Sequence, residues 1–279
     1  MSTPPSPVRS RFEAVVARPE PELDLASAAL LLAAEEYPQL PLAPYLRRLD
    51  LLAERVHDRL GDESAPPVVV QELNRVLFKE EGFRGNVEAY YDVRNLFLND
   101  VLDRRLGIPF TLSVVYLEVG WRLGLPLVGV GFPGHFLVRY EGEAVRLLVD
   151  PFERGRLRFE DQAQELLDRV YGGMVRLRSE FLQTASKRDI LVSILTSLKG
   201  IYLNARDDRR ALAAVERILL LRPAAAGEVR DRGMLLARVG RTGEAIADLE
   251  RYLDAAPDAP DARRVRELIR ELARERRHH

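Results

Sequence analysis

The chain has 279 residues, 47% hydrophobic and 30% charged, with a formal net charge of -1 and no cysteine. This length suits one large domain, or a catalytic-sized domain with a small helical one behind it, and the near-neutral charge gives no global reason to seek nucleic acid or an anionic membrane. The missing cysteine excludes disulfides, thiolate metal sites and a thiol nucleophile, and it fits a cytoplasmic protein.

Residues 1–22 are Pro-rich and mixed in charge, which reads as a flexible lead with no secretory signal. From Leu25 to about Leu60 apolar residues recur at helical spacing, and the three prolines of "YPQLPLAPY" divide the stretch into two helices. The Glu pair in "SAALLLAAEEY" cuts its apolar run far short of a membrane span. After the loop "GDESAPP", the segment "VVVQELNRVLFKEEGF" predicts a helix ending at Gly82, and "AYYDVRNLFLNDVLDRRLG" predicts another ending at Gly107. Next comes "GIPFTLSVVYLEVGWRLGLP", an apolar helix that opens at Pro109 between two Gly-x-Pro punctuations.

Beyond Pro126 the period changes: "LVGVGF", "HFLVRY" and "VRLLVDPF" read as short antiparallel strands separated by turn residues. From "EDQAQELLDRVYGG" the helical pattern returns and holds to the C-terminus. Helices, then strands, then helices predict an α+β domain over residues 23–183 and an all-α module over 184–279.

The module is repetitive. Aligning Pro223 with Pro257, a 34-residue period, brings Ala211 over Ala245 and Tyr202 over Leu236. Gly233 and Gly240 fall where a tetratricopeptide unit places small residues, whereas Lys199 occupies the position of Gly233 in the first unit. Two such units are too few to stand alone, and "ARRVRELIRELARERR" suits a cap, with Val265, Leu268, Ile269 and Leu272 on one face. Its arginines alternate with glutamates at helical salt-bridge spacing, so they read as a solvated face rather than a nucleic-acid site.

Of four histidines, His278 and His279 end the chain and His57 lies in an early helix. His135, in "FPGHFLVRY", sits at a turn entering a strand, and Asp150 closes the next strand before a proline. A hairpin with its tight turn at Gly142-Glu143 would set His135 opposite Asp150, since directly opposed residues would share the sum 285. A carboxylate beside an imidazole fixes its tautomer and raises its basicity, which is the acid-base half of a triad; equally, such a pair can simply close a sheet.

The blocks "FKEEGFRGN", "RRLGIPFTLSVVYLEVGWRLGLP", "GVGFPGHFLVRY" and "LLVDPFERG", followed by tetratricopeptide-like repeats, resemble the SirB-type branch of the transglutaminase-like, papain-related superfamily. The resemblance runs from about Ser27 to the C-terminus. It implies a Cys-His-Asp triad with His135 and Asp150 in the last two places. The helix start that would carry the cysteine, counted back from Gly124, is Pro109, which has no nucleophilic atom. Ser113, one turn on and on the same face, is the alternative nucleophile, or a small residue that lets helix and sheet approach. Asn86, Tyr90, Asn95 and Arg84 either line the cleft or satisfy local structure.

Two functions compete. One is a non-catalytic pseudoenzyme whose His-Asp cleft and repeats bind a protein or peptide partner. The other is an unconventional hydrolase or acyl transferase using Ser113, His135 and Asp150. No cofactor is expected, and His135 with Asp150 falls short of the three protein ligands of a usual catalytic metal.

Overall fold

In the computed structural model the described residues are 6–63, 65–142, 146–159 and 162–278. They form two compact units, Met1–Leu191 and Val192–His279. The first unit begins with helix α1 (Pro7–Val16), so the expected flexible lead over residues 1–22 is corrected there. Ser6 caps α1 and Phe12 is fully buried, giving this Pro-rich segment an anchor that its composition hid. Helix α2 (Leu25–Glu36) is apolar nearly all round and lies in the core, whereas α3 (Leu42–Leu60) buries one stripe through Leu49, Leu52, Ala53 and Val56. The break between them falls in the Pro-rich stretch where it was expected.

Helix α4 (Pro66–Asn74) runs into a widened turn over Arg75–Glu80, and Gly82 then takes a φ of +79°. The next predicted helix is much shorter than its pattern suggests. Residues 86–92 form a loop, and α5 occupies only Leu98–Arg104. Its left-handed terminator is Arg105, not Gly107. Asn86 and Asn95 capture backbone groups of this loop, offering the chain an alternative to helix.

Two short strands, β1 (Arg84–Gly85) and β2 (Leu106–Gly107), pair in parallel immediately before helix α6 (Pro109–Arg122). Pro109 takes the first helical position, where its missing N–H is no loss. The Thr111 hydroxyl accepts the Ile108 N–H at 3.2 Å and donates to the Asn95 carbonyl at 2.7 Å. Every residue from Thr111 to Gly120 is buried, making α6 the central helix of this unit.

Glu118 fastens α6 to α2 by accepting the Ala26 N–H at 2.9 Å, and Arg122 bridges Glu118 at 2.5 Å and Asp50 of α3 at 2.7 Å. Burial raises the Glu118 carboxyl above its ordinary pKa despite the neighbouring guanidinium.

The sheet comprises β3 (Leu127–Phe132), β4 (His135–Glu141), β5 (Arg146–Asp150), β6 (Arg156–Arg158) and β7 (Thr184–Ala185), all antiparallel, in the order β6-β5-β4-β3-β7. The three central strands match the sequence reading, and the two short edge strands were not anticipated. Phe136 meets Phe110 of α6 with ring centroids 5.5 Å apart, while Leu137 and Leu148 join a cluster with Leu166 and Leu167 of α7 (Ala163–Tyr171).

The second unit is all-α: most of α8 (Lys187–Asn204), then α9 (Asp208–Leu221), α10 (Ala226–Arg238), α11 (Thr242–Ala255) and α12 (Ala262–His278). Ala211 and Ala245 are fully buried, as the repeat alignment expects. A Cβ on Gly233 would stand 2.8 Å from Leu249 Cγ, so α10 and α11 approach too closely for a side chain there. Lys199, at the corresponding place in the first unit, instead bridges Glu228 at 2.8 Å and Asp231 at 3.0 Å. Val265 and Leu272 of α12 are buried, with Leu268 and Ile269 packed partly against the same core.

Candidate active site

His135 Nε2 lies 2.9 Å from Asp150 Oδ2, with the imidazole only 9% exposed and the carboxylate fully buried. The expected register, however, is wrong. Val138 pairs with Val149 and Glu141 with Arg146, so opposed residues sum to 287 rather than 285. Glu141 with Arg146 is the last pair of the ladder among the described residues, and the connection between them spans 142–145. Gly142 lies in that connection, and Glu143 lies outside the described residues. A slip of two preserves side-chain parity, so His135 and Asp150 still share a face and meet diagonally instead of directly.

Asp150 has a second function that the sequence reading missed. Its Oδ1 accepts the N–H groups of Phe152 and Glu153, each at 3.1 Å, and so builds the turn that follows β5. The Asp-Pro dipeptide was the available signal, because an Asp side chain readily bonds its own backbone two residues on. With Oδ1 committed to the turn, Oδ2 is held toward the imidazole. Nε2–H donating to that oxygen leaves Nδ1 as the other face of the ring, and no described group bonds Nδ1.

Phe152 is the other site residue not foreseen. Its ring stands edge-on to His135, with centroids 5.8 Å apart, and edge-on to Tyr90 at 6.0 Å. A Cβ on Gly85 would lie 2.5 Å from that ring, so the glycine in "RGN" is what admits Phe152 to the site. The Gly85 N–H also donates to the Phe152 carbonyl at 3.3 Å, and the Asn86 N–H to the Gly107 carbonyl at 2.9 Å. These contacts join the His-Asp strand ends to the start of α6 through β1 and β2.

The remaining candidates separate into two groups. Asn86 Nδ2 donates to Asn95 Oδ1 at 2.9 Å, and Asn95 Nδ2 donates to the Ala89 carbonyl at 2.7 Å and the Tyr90 carbonyl at 3.1 Å. Asn95 is fully buried, so its amide fastens the loop. Tyr90 is half-buried beside Phe152, with burial raising its phenol above the usual pKa, and Arg84 is exposed. Tyr91 and Val87 add two strongly exposed apolar side chains on the same loop. Pro109 is buried at the opening of α6.

Ser113 is fully buried and its Oγ has no hydrogen-bond partner, so it is outside hydrogen-bond reach of His135. Tyr116, one turn further, likewise has an unpartnered hydroxyl and stacks on Phe78. Among the described residues no group of three or more His, Asp or Glu could hold a metal ion, and no helix is long and apolar enough to cross a membrane.

Residues 43–196 match the family model described as "Transglutaminase-like superfamily", and residues 198–270 match "Tetratricopeptide repeat". A UPF0162 protein of Xylella fastidiosa is 40% identical over 260 residues, covering 91% of this chain and 92% of its own. A UPF0162 protein of Pseudomonas aeruginosa is 34% identical over 249 residues, covering 89% and 91%. Protein SirB1 of Salmonella typhimurium is 28% identical over 246 residues, covering 83% and 90%. No solved structure matches. The chain therefore belongs to the transglutaminase-like superfamily, in the form that carries tetratricopeptide repeats behind the transglutaminase-like domain.

Proposed function

We propose that this protein is a non-catalytic member of its superfamily, in which the His135–Asp150 cleft and the repeats bind a protein or peptide partner. The observation that carries this reading is the start of α6. Pro109 stands where the family resemblance places the thiol, and the nearby Ser113 Oγ is sealed and unpartnered. An imidazole oriented by a carboxylate then has no nucleophile to activate. It keeps the ability to bond a peptide group through Nδ1, beside the aromatic surface of Phe152, Tyr90 and Tyr91. Repeat modules characteristically offer a groove for a peptide or helix, which supports a partner of that kind.

Two measurements on the full chain test the proposal. A serine-directed fluorophosphonate should leave Ser113 unlabelled; labelling at Ser113 that disappears in His135→Ala would favour the acyl-transfer reading instead. Peptides retained by the immobilised protein from a display library should be lost with Tyr90→Ala. Retention unaffected by that change would remove the cleft from the proposal.

A further inference from the structure

A concave site lies in the first unit, between the C-terminal half of α3 and the connection from α6 to β3. Its volume is about 900 Å³, near the upper end of the range for small-molecule pockets. It is separate from the His-Asp pair. Tyr140 reaches it from the end of β4 opposite His135, and Arg122 to Pro126 border it at the C-terminal end of α6, about 20 Å along the helix from Pro109.

The lining has an apolar floor and an acidic rim. Leu60, Val69, Leu123 and Leu125 supply aliphatic surface, and Asp50, Glu54, Asp62 and Glu63 supply four carboxylates. The one guanidinium in the lining, Arg122, is taken up by Glu118 and Asp50. Glu54 engages Arg47 from outside the cleft, so counting both outer partners, Arg47 and Glu118, leaves the same negative excess.

A second observation is independent of that charge. Tyr140 is only 3% exposed and lines the cleft, yet its hydroxyl bonds no described group and is not sealed in the core as the Tyr116 hydroxyl is. A phenol in the cleft wall whose hydroxyl bonds no described group is a hydrogen-bonding group without a partner among the described residues.

We infer that this cleft binds a small organic cation, an ammonium or guanidinium on an aliphatic stem, with the stem on the apolar floor and the cation among the carboxylates and the Tyr140 hydroxyl. An anion would meet Asp62 and Glu63, which no described cation pairs, and a neutral apolar ligand would leave these carboxylates desolvated. The same chemistry arises from a free amine or from a basic side chain of a peptide. Cation binding here is independent of the role given to His135.

The test is calorimetric titration of the full-length protein with agmatine, with a capped tripeptide bearing a central arginine, and with glutarate as the anionic control. Saturable binding of either cation is expected, weakening as salt rises. Asp62→Asn and Tyr140→Phe should each weaken it by about fivefold, the size of one lost hydrogen-bond or ion-pair partner. An unchanged thermal melt by Trp121 fluorescence would confirm that both variants fold. Binding by the tripeptide alone would assign the cation to a peptide source. No saturable binding by either cation, equal binding of glutarate, or wild-type affinity in both variants would overturn the inference.

Discussion

Replacing Asp150 by Ala and by Asn should have clearly different costs, because its two oxygens do different work. Oδ2 meets the imidazole at 2.9 Å, and Oδ1 accepts two backbone N–H groups at 3.1 Å, all from a fully buried side chain. A hydrogen bond to a charged group contributes roughly 1.5–3 kcal/mol and an ordinary one about 1 kcal/mol. Asp150→Ala removes three bonds to one carboxylate and leaves part-buried donors unpaired, so a loss of about 4 kcal/mol is expected, near the low end of three bonds to a charged group. Asp150→Asn keeps an oxygen for the turn and lets the His135 tautomer reverse so that Nε2 accepts from the amide, for a loss of about 1–2 kcal/mol. Urea unfolding followed through the single tryptophan, Trp121, reports the unit that contains the site. Nitrogen NMR of His135 should show the proton moving from Nε2 to Nδ1 in the Asn variant. Equal losses in the two variants, or a loss under about 1 kcal/mol for Ala, would refute the division of labour between the oxygens.

Ser113→Ala should be neutral or stabilising by up to about 1 kcal/mol, since it deletes a buried hydroxyl with no partner; a clear loss of thermal stability would mean that the hydroxyl is bonded. Gly85→Ala should cost about 1–3 kcal/mol in urea unfolding, because the new methyl would fall within 2.5–2.8 Å of three Phe152 ring atoms, and the His135 ring resonances should shift as Phe152 moves. For Glu81, burial alone would raise the carboxyl pKa, but hydrogen bonds from Arg105 and Arg55 outweigh burial and hold it below the ordinary 4.5. Its contribution is therefore full above that value and is lost as pH falls through the lower folded-state pKa. Wild type should lose stability more steeply than Glu81→Gln as pH falls below 4.5, and parallel acid-side curves would contradict this.

Much of this architecture was readable from local chemistry. The three central strands follow from β-branched and aromatic runs between turn residues, and Pro109 opens α6 because proline tolerates the first helical position. The edge strands Arg156–Arg158 and Thr184–Ala185 are too short for any period to show. Similarly, the amphipathic pattern of residues 89–107 overstated its helix, because the Asn86 and Asn95 side chains hold the first part as a loop by bonds to backbone that the pattern cannot reveal.

The sequence by itself determined that no thiol exists and that repeats follow the domain, and it pointed to a shared sheet face for His135 and Asp150. That face survived because the register differs from the expected one by two residues, whereas a shift of one would have turned the pair apart. Only tertiary structure decided how the pair meets, that Gly85 admits Phe152 beside it, and that Ser113 is closed off from it. Each of these depends on residues distant in the chain approaching within a few ångströms, a separation that residue type and spacing do not encode.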